Sequence, residues 1–456
     1  MRRLARTARG ALGSRFLRES SVLQVASLAT AASNVAGSVL LAHLLGAREL
    51  GLFYIAGGMY ALLWFFLNLG LAPVATMRIA GAVRGGDPEG TLPGSIGVFL
   101  RLSLALAAVA IGVGALTWSV VPEAWFARVF DEDSGRIMAC AALLTLGPLF
   151  EAPRNICIAA LQGERRMLAL ARVELGQEFG RLGFVVVGAV LARDAVGPTL
   201  GLVAGNAVGA VLSMDAYRRE RRAEGSILPP LFPCLFRGGV SHGRVLKEGV
   251  KVGLVRNMDS IGFETIPTLL LGAFGNRTWV AYLRIAQRFG ALLRILVQGI
   301  NRTALPVLSQ LAHVKDVGGL RRTYWKASAL SGGMVSLGMI VVLPLLPFVI
   351  HALYPPDFWE PVFLLVLILS PGIAVASFSV ANDVFYLVTQ QMRVAILVSA
   401  LGLFVNSGLM WACTVRWPEE GTAIGLSIAC LWSLVHMGYA GTWLRRHAPA
   451  APAPAA

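Results

Sequence analysis

The chain alternates long apolar runs with short polar segments. A run of about 20 apolar residues is long enough to cross the hydrocarbon core of a bilayer as a helix. The pattern therefore predicts an all-α, polytopic membrane protein with about twelve transmembrane helices. The spans lie near 22–44, 53–76, 94–118, 135–160, 168–191, 196–216, 249–273, 279–310, 327–351, 361–388, 393–414 and 422–444.

The longest polar connection leaves six spans on either side of it. An offset of 229 residues matches Gly46 with Gly275 and Arg48 with Arg277, which favours two repeated six-helix lobes around a central cavity. We expect a basic N-terminal segment at 1–21, a first lobe at 22–216, an interlobe linker at 217–248, a second lobe at 249–444 and a disordered tail at 445–456.

Composition supports a membrane protein and disfavours other classes. Hydrophobic residues make up 56% of the chain and charged residues 14%, unlike a soluble domain. The net charge of +15 does not indicate nucleic-acid binding, because the basic residues lie between apolar runs. The sequence contains no nucleotide-binding or catalytic motif, and its five cysteines form no CxxC pair. We therefore expect no enzymatic activity, no metal site and no bound cofactor.

Basic residues are concentrated on one predicted side of the membrane. Six Lys or Arg precede the first span and seven lie within 217–248, whereas the segments on the opposite side carry five in total. The positive-inside rule then predicts that both termini are cytoplasmic. The first apolar run exceeds the usual core of a signal peptide, so we expect a retained first helix.

The eighth span, YLRIAQRFGALLRILVQGINR, carries a polar stripe. Its basic and amide positions lie within an arc of about 140°, and the stripe is about 27 Å long. An arginine at the centre of such a helix costs about 2.5–3.5 kcal/mol, so the stripe should line a water-filled cavity and bind an anionic headgroup. Alternatively, the arginines pair with acids of neighbouring helices. The stripe comprises Arg284, Gln287, Arg288, Arg294, Gln298, Asn301 and Arg302. Its predicted headgroup-binding residues are Arg284, Arg288, Arg294, Gln298 and Arg302.

The preceding span adds further charged candidates. Arg256 joins the predicted headgroup-binding set, while Asp259 and Glu264 are candidate sites for ion coupling. Pro267 can kink this helix and free backbone carbonyls. The alternative is structural, with Arg256 paired to Asp259 and Glu264 paired to the next helix.

Two further places carry charge within apolar spans. Glu174, Glu178 and Arg181 share one face of the fifth span, where they line a first-lobe cavity or simply form a solvated helix end. Asp383 is isolated in the tenth span. A lone buried acid in a membrane helix suggests ion coupling.

Four patches resemble a known family. The chain resembles the polysaccharide transport family, which includes Wzx-type O-antigen flippases, of the multidrug/oligosaccharidyl-lipid/polysaccharide exporter superfamily. The resemblance covers almost the whole chain but departs at Pro355-Pro356, where a glycine commonly follows the tyrosine. The patches are LLAHLLGARELGLFYIA (Leu40 to Ala56), LGLAPVATMRIA (Leu69 to Ala80), ALPVLSQL (Ala304 to Leu311) and HALYPPDFWEPVFLLVLILSPG (His351 to Gly372).

This resemblance implies a flippase that moves a polyprenyl-pyrophosphate-linked oligosaccharide across the bacterial inner membrane by alternating access. The product would serve lipopolysaccharide, O-antigen or exopolysaccharide synthesis, with a polysaccharide polymerase as a candidate partner. An H⁺ or Na⁺ gradient, or the membrane potential, could drive the cycle. The alternatives are an ion-coupled multidrug exporter, a non-transporting scaffold of polysaccharide synthesis, and a lipid II flippase, whose usual extra spans are absent.

Overall fold

The computed structural model of the protein describes residues 2–67, 70–85, 92–120, 127, 130, 133–237, 242–292, 308, 311 and 316–447. Within these residues the secondary structure is helical, without strands. The chain forms two compact units, Met1–Asn257 and Met258–Ala456.

The first unit is a bundle of helices joined mostly by short turns. The two spans predicted on either side of residue 46 are helices that meet at a sharp kink, because Gly46 is non-helical with a φ of 70°. The kinked pair is labelled together as α1. The elements are α1 (Arg2–Leu67), α2 (Leu71–Gly85), α3 (Leu92–Val120), α4 (Ser134–Leu144), α5 (Gly147–Gly163), α6 (Met167–Ala192), α7 (Val196–Arg221), a 3-10 helix (Phe232–Phe236) and α8 (His242–Ser260), whose last residues belong to the second unit.

The second unit contains more interrupted helices. The tenth predicted span, for example, is divided by a turn into two helices. The elements are a π turn (Ile261–Thr265), α9 (Ile266–Phe274), α10 (277–292), α11 (Val317–Val342), α12 (Leu346–Leu353), α13 (Trp359–Ser377), α14 (Asn382–Val388), α15 (Met392–Arg416), α16 (Gly421–Ala429) and α17 (Ser433–Arg446).

The helices are those of a multi-pass membrane protein. Nine helical segments of the described chain are long and apolar enough to cross a bilayer, and two shorter apolar helices accompany them. Helices suit the hydrocarbon interior of a bilayer because each backbone N–H and C=O group pairs within its own helix. The length of the apolar runs alone therefore accounts for the fold class.

Glycines bring α6 and α7 into close contact. A Cβ at Gly201 would overlap the Phe184 carbonyl, and a Cβ at Gly205 would lie 2.7 Å from Arg181 Cα. Small residues at such spacing let two helix backbones approach closely. The contact thereby fixes the position of Arg181. The glycines occur at every fourth position of α7, at Gly197, Gly201, Gly205 and Gly209.

Part of the segment suggested as an interlobe linker packs against the first unit. We call residues 226–237 the clasp. Its Leu228, Leu231 and Cys234 side chains are buried in a core shared with α2, α3 and α5. Burial raises the pKa of the Cys234 thiol, which donates a hydrogen bond to the Pro230 carbonyl at 3.1 Å. The clasp is thus folded onto the unit from which it emerges.

Polar contacts hold both ends of the clasp. The Glu164 carboxylate, only 3% exposed, accepts hydrogen bonds from Ser226 Oγ and the Ile227 amide, each at 2.9 Å. At the other end, Arg101 Nη1 donates to the carbonyls of Leu235 and, at 3.1 Å, Arg237. These hydrogen bonds satisfy polar groups whose burial would otherwise be unfavourable.

A second group of ion pairs joins α1 to the beginning of α4 and to the residue before α7. Arg136 donates two hydrogen bonds to the Glu49 carboxylate at 2.7 and 2.8 Å. Glu49 Oε2 also accepts from the Ala195 amide at 3.0 Å, and Arg48 pairs with Asp133 at 3.1 Å. This end of the first unit is therefore held by carboxylates that each have a basic partner.

The glycine contact predicts a position-specific loss of stability. We expect Gly201→Ala to lower the melting temperature in detergent, because overpacking a close contact costs about 1–3 kcal/mol. The matched control is Gly183→Ala on α6, where an added Cβ meets nothing within 4 Å. Equal melting temperatures for the two variants would contradict a close backbone contact at Gly201.

Candidate functional site

Two of the predicted first-lobe residues form an ion pair. Arg181 Nη2 donates to the Glu178 carboxylate and, at 3.2 Å, to Asn34 Oδ1 on α1. The Asn34 amide is oriented by its own bond to the Thr30 carbonyl at 3.0 Å. The side chains of Arg181 and Glu178 are 32% and 12% exposed. The pair therefore lies partly inside the unit and joins α6 to α1.

Arg154 extends this polar network and is a residue that the sequence interpretation missed. Its Nε donates to Oε1 of the buried Gln177, and its Nη1 lies 3.4 Å from Asn155 Oδ1. It also interacts electrostatically with Glu174 and Glu178. Arg154 lies nine residues before the end of α5. The sequence did contain a signal for this residue, because an arginine so far inside an apolar run is a candidate functional residue.

Glu151 and Asn206 complete the network on the side of α7. Asn206 Nδ2 lies 3.4 Å from Glu151 Oε1. A Cβ at Gly147 would lie 3.3 Å from both Asn206 Nδ2 and Tyr60 Oη, so these groups are close together. Within the described chain the buried Tyr60 hydroxyl has no hydrogen-bond partner. It is placed to bind a polar group held beside Glu151.

The network combines opposite charges within an apolar bundle. Three carboxylates face two guanidinium groups, which leaves a formal charge of −1 when all are ionised. Buried charges persist only when they are paired or hydrogen-bonded. Such a site can bind a cation or a proton at the carboxylates, or an anionic group at the arginines. Its members are Glu151, Arg154, Glu174, Glu178 and Arg181.

A π turn forms the centre of the polar site in the second unit. Pro267 lacks the N–H that an α-helix would direct to the Phe263 carbonyl. The Gln287 side chain from α10 instead donates to that carbonyl at 2.6 Å. The Thr268 hydroxyl donates to the Glu264 carbonyl, also at 2.6 Å. Side chains thus satisfy carbonyls that the interrupted helix leaves available.

Arg284, from the predicted stripe, pairs with Glu264 on this turn. The guanidinium lies 3.3 Å from Glu264 Oε2 and donates to Gln287 Oε1 at 3.2 Å. Glu264 is about half exposed, and Arg284 is partly buried. Arg288 is half-buried one turn further along α10. The structure therefore brings together two predicted residues, Arg284 and Glu264, that had been assigned to separate roles.

The remaining predicted residues of this region are described only in part. Arg294, Gln298 and Arg302 lie outside the described residues. The backbone at Arg256 and Asp259 is helical within α8, but their side chains are outside the described part of the chain.

Asp383 differs from its expected environment. The sequence suggested a buried acid, whereas the structure places an exposed side chain in the first turn of α14. Its neighbour Asn382 is buried and accepts a hydrogen bond from Tyr324. The turn between α13 and α14 causes the difference, because it interrupts the face that one continuous helix would have presented.

Metal ligation is not supported by the geometry of the described residues. Among them, no group of three or more His, Cys, Asp or Glu side chains could hold a metal ion. None of the five cysteines, all within the described chain, forms a disulfide, and four of them are buried. The titratable groups of interest are therefore carboxylates and guanidiniums.

Comparison with known proteins identifies the fold. No family model and no curated protein sequence matches the chain. An inward-facing multidrug resistance MATE family transporter of the MOP superfamily superposes with a TM-score of 0.72 at 16% identity, covering 92% of this chain and 95% of the other. The chain has the fold of MOP superfamily transporters.

Two further solved structures share this MOP fold. The lipid II flippase MurJ, in an inward closed conformation, matches with a TM-score of 0.70 at 13% identity over 92% of this chain and 87% of that one. A MOP superfamily transporter from Pyrococcus furiosus, described as having reverse polarity of its binding pocket, matches with a TM-score of 0.63 at 14% identity over 94% and 95%.

These similarities confirm the predicted fold class, since the neighbours are twelve-helix, two-lobe membrane transporters. At such low identity the likeness concerns the fold. It is shared by transporters named for different cargoes and does not identify the polysaccharide transport family.

The Glu178–Arg181 pair predicts strong coupling between two substitutions. We expect Glu178→Gln and Arg181→Gln each to destabilise the protein by about 1–3 kcal/mol, because each leaves one charge without its partner. The double variant should lose less than the sum, by at least about 0.5 kcal/mol. Thermal unfolding in detergent measures the three variants.

The exposed pair of Asp215 and Arg219 supplies the control for this cycle. Their side chains are 50% and 78% exposed at an N–O distance of 2.7 Å, so the equivalent cycle should show almost no coupling. Additive effects at Glu178 and Arg181 would mean that this pair is also solvated.

Proposed function

We propose that the protein is a flippase that moves a polyprenyl-pyrophosphate-linked oligosaccharide across the bacterial inner membrane by alternating access. The observation that supports this most is that arginines lie within apolar helices of both units. Arg154 and Arg181 belong to the first unit, and Arg284 and Arg288 to the second. Both termini would be cytoplasmic, and the cargo would serve lipopolysaccharide, O-antigen or exopolysaccharide synthesis.

The chemistry of the guanidinium group favours a phosphate-bearing cargo. Arginine stays charged and donates two parallel hydrogen bonds to phosphate oxygens. A diphosphate could occupy the sites of Arg288 and Arg294 while the polyprenyl tail remained in lipid. A membrane potential that is negative inside would assist, since moving each negative charge outward yields about 2.3 kcal/mol per 100 mV.

The fold is compatible with a lipid-linked cargo. One protein of similar fold is a lipid II flippase, so its cargo is a lipid. We therefore infer that the same architecture can accommodate a large headgroup and a tail. The sugar and any polymerase partner remain part of the proposal, as does the family assignment to polysaccharide transport.

A coupling step follows from the Arg284–Glu264 pair. A cargo phosphate and the Glu264 carboxylate would compete for the same guanidinium, 3.3 Å from Glu264 in the structure. Protonation of Glu264 would weaken the pair and release Arg284 to the phosphate. Proton uptake and cargo binding would then favour each other. Asp259 and Asp383 remain alternative coupling sites, with H⁺ or Na⁺ as the ion.

An ion-coupled multidrug exporter is the second candidate. The three carboxylates of the first unit favour it, because cationic drugs or ions bind carboxylates, and one neighbour is a multidrug resistance transporter. The arginines oppose it, since a row of guanidiniums repels cationic drugs. A non-transporting scaffold of polysaccharide synthesis would need neither set of charges.

The transport assay distinguishes these functions. In proteoliposomes with a fluorescent polyprenyl-pyrophosphate oligosaccharide, we expect the wild type to move the headgroup and Arg288→Gln or Arg294→Gln to do so about 10- to 100-fold more slowly. Losing a hydrogen bond to a charged group costs about 1.5–3 kcal/mol. Arg193→Gln, at the exposed end of α6, is the charge-matched control and should retain wild-type rates.

Other outcomes would redirect the assignment. Equal rates for folded wild type and variants would make the arginines structural. Export of a cationic dye without lipid movement would indicate the multidrug exporter. A wild-type protein that moves neither substrate would favour the scaffold.

The coupling step has its own test. We expect Glu264→Gln to bind the fluorescent diphosphate lipid more tightly than wild type at neutral pH and to lose its response to a pH gradient, because Arg284 loses the Glu264 carboxylate that competes with the phosphate. Arg284→Gln in the same background should remove the gain in affinity. Glu360→Gln, an exposed acid of α13, serves as the control. An unchanged Kd in Glu264→Gln would exclude competition at Arg284.

A further inference from the structure

The last turn of α7 carries arginines in two different states. Arg219 pairs with Asp215 at 2.7 Å. Arg218 and Arg221, by contrast, form no ion pair with any side chain of the described chain. They are three residues apart and thus lie on the same face of the helix. Two neighbouring guanidinium groups without a protein counter-ion form a candidate site for an anion.

A pocket lies beside these two arginines. Its volume is about 110 Å³, and Arg218, Arg221, Tyr217, Leu231 and Phe232 contribute to its lining. This is several times the ~10–15 Å³ that accommodates a single water molecule. Its lining is almost entirely apolar, so the pocket suits part of an acyl chain, and the charge for a phosphate comes from the two guanidinium groups beside it.

The clasp forms one wall of this pocket and is firmly held. Tyr217, fully buried, donates from Oη to the Pro229 carbonyl at 2.6 Å. Leu231 is buried in the core of the first unit. The pocket is consequently bounded by an anchored segment rather than by an exposed chain end.

The clasp also carries two exposed aromatic rings. Phe232 is 51% exposed and Phe236 is 90% exposed, although the same segment buries Leu231 and Cys234. The segment follows a helix long enough to cross the bilayer. Exposed phenylalanines next to basic residues are typical of elements that lie in the membrane interface. The rings are thus suited to insert among acyl chains.

General roles of arginine explain only part of this arrangement. Basic residues at a helix C-terminus interact favourably with the helix dipole, and basic loops determine topology. Neither role requires a pocket beside Arg218 and Arg221 or exposed phenylalanines on the segment that forms its wall. A lipid with a phosphate and two acyl chains matches charge, pocket and rings together.

We infer that Arg218 and Arg221 bind the phosphate of an anionic glycerophospholipid such as phosphatidylglycerol, with the acyl chains beside Phe232 and Phe236. The site differs from the proposed cargo path, since Arg218 lies twelve residues beyond Asn206, about 18 Å along α7. A single phosphodiester suits two arginines, and bulk phospholipid is abundant at the membrane surface.

Lipid binding would stabilise the clasp in its packed position. Val245 of α8 is buried in the same core as the clasp, so the lipid would also stabilise the start of α8. The membrane content of anionic lipid would then influence the stability of this part of the first unit, independently of whether the cargo is an oligosaccharide lipid.

The test compares two matched double variants of the full-length protein. Arg218→Gln/Arg221→Gln removes the pocket arginines, whereas Arg219→Gln/Arg222→Gln removes the same charge from the same turn outside the pocket. The delipidated protein in neutral detergent is titrated with phosphatidylglycerol, phosphatidylcholine, inorganic phosphate or polyprenyl diphosphate. Bound lipid is counted by native mass spectrometry, and the melting temperature is recorded in parallel.

We expect phosphatidylglycerol to bind and stabilise the wild type and the Arg219/Arg222 variant, with phosphatidylcholine and phosphate having little effect. The Arg218/Arg221 variant should bind phosphatidylglycerol about 10- to 30-fold more weakly, as the loss of two charges near a membrane surface implies. Phe236→Ser should weaken binding of the lipid while leaving the melting temperature of the delipidated protein unchanged.

Three results would overturn the inference. Equal losses in both double variants would show a general effect of charge. Stabilisation by inorganic phosphate alone would show an anion site without lipid selectivity. Tighter binding of polyprenyl diphosphate than of phosphatidylglycerol at these arginines would assign the pocket to the cargo.

Discussion

The pairing of polar groups inside apolar helices is the constraint on which the structure depends. Leaving a buried donor or acceptor unsatisfied costs about 1–3 kcal/mol, and an unpaired charge costs more. The π turn illustrates the solution. Pro267 removes one helical donor, and Gln287 supplies another to the Phe263 carbonyl. Because the substitute comes from α10, this local interruption joins two helices of the second unit.

The same constraint links packing to chemistry in the first unit. Glycines on α7 allow close contact with the α6 backbone at Arg181 and with the side chain of Gln177. That contact holds Gln177 where it accepts from Arg154, and holds Arg181 beside Glu178. The geometry of the polar network therefore depends on the glycines of α7. Bulkier residues on α7 would move the charged groups without altering their chemistry.

The sequence predicted the features that depend on short separations along the chain. Apolar run length gave the helical membrane fold, and the spacing of Glu178 and Arg181 gave a common face. It missed the pairing of Arg154 with Gln177, which are 23 positions apart on different helices, because periodicity describes only one helix at a time. It also treated the chain near Asp383 as one continuous span, although a turn exposes that acid.

The identity of its partner distinguishes one arginine from another. Arg136, Arg181 and Arg284 each have a carboxylate partner within the protein. A ligand reaching any of these must replace that carboxylate, so binding there depends on what happens to the acid. Arg218 and Arg221 have no such competitor in the described chain, so an anion can bind without displacing a protein group. The first arrangement suits a site that alternates between occupied and vacant states, as transport requires. The second suits a lasting association, in which the bound molecule becomes part of the structure.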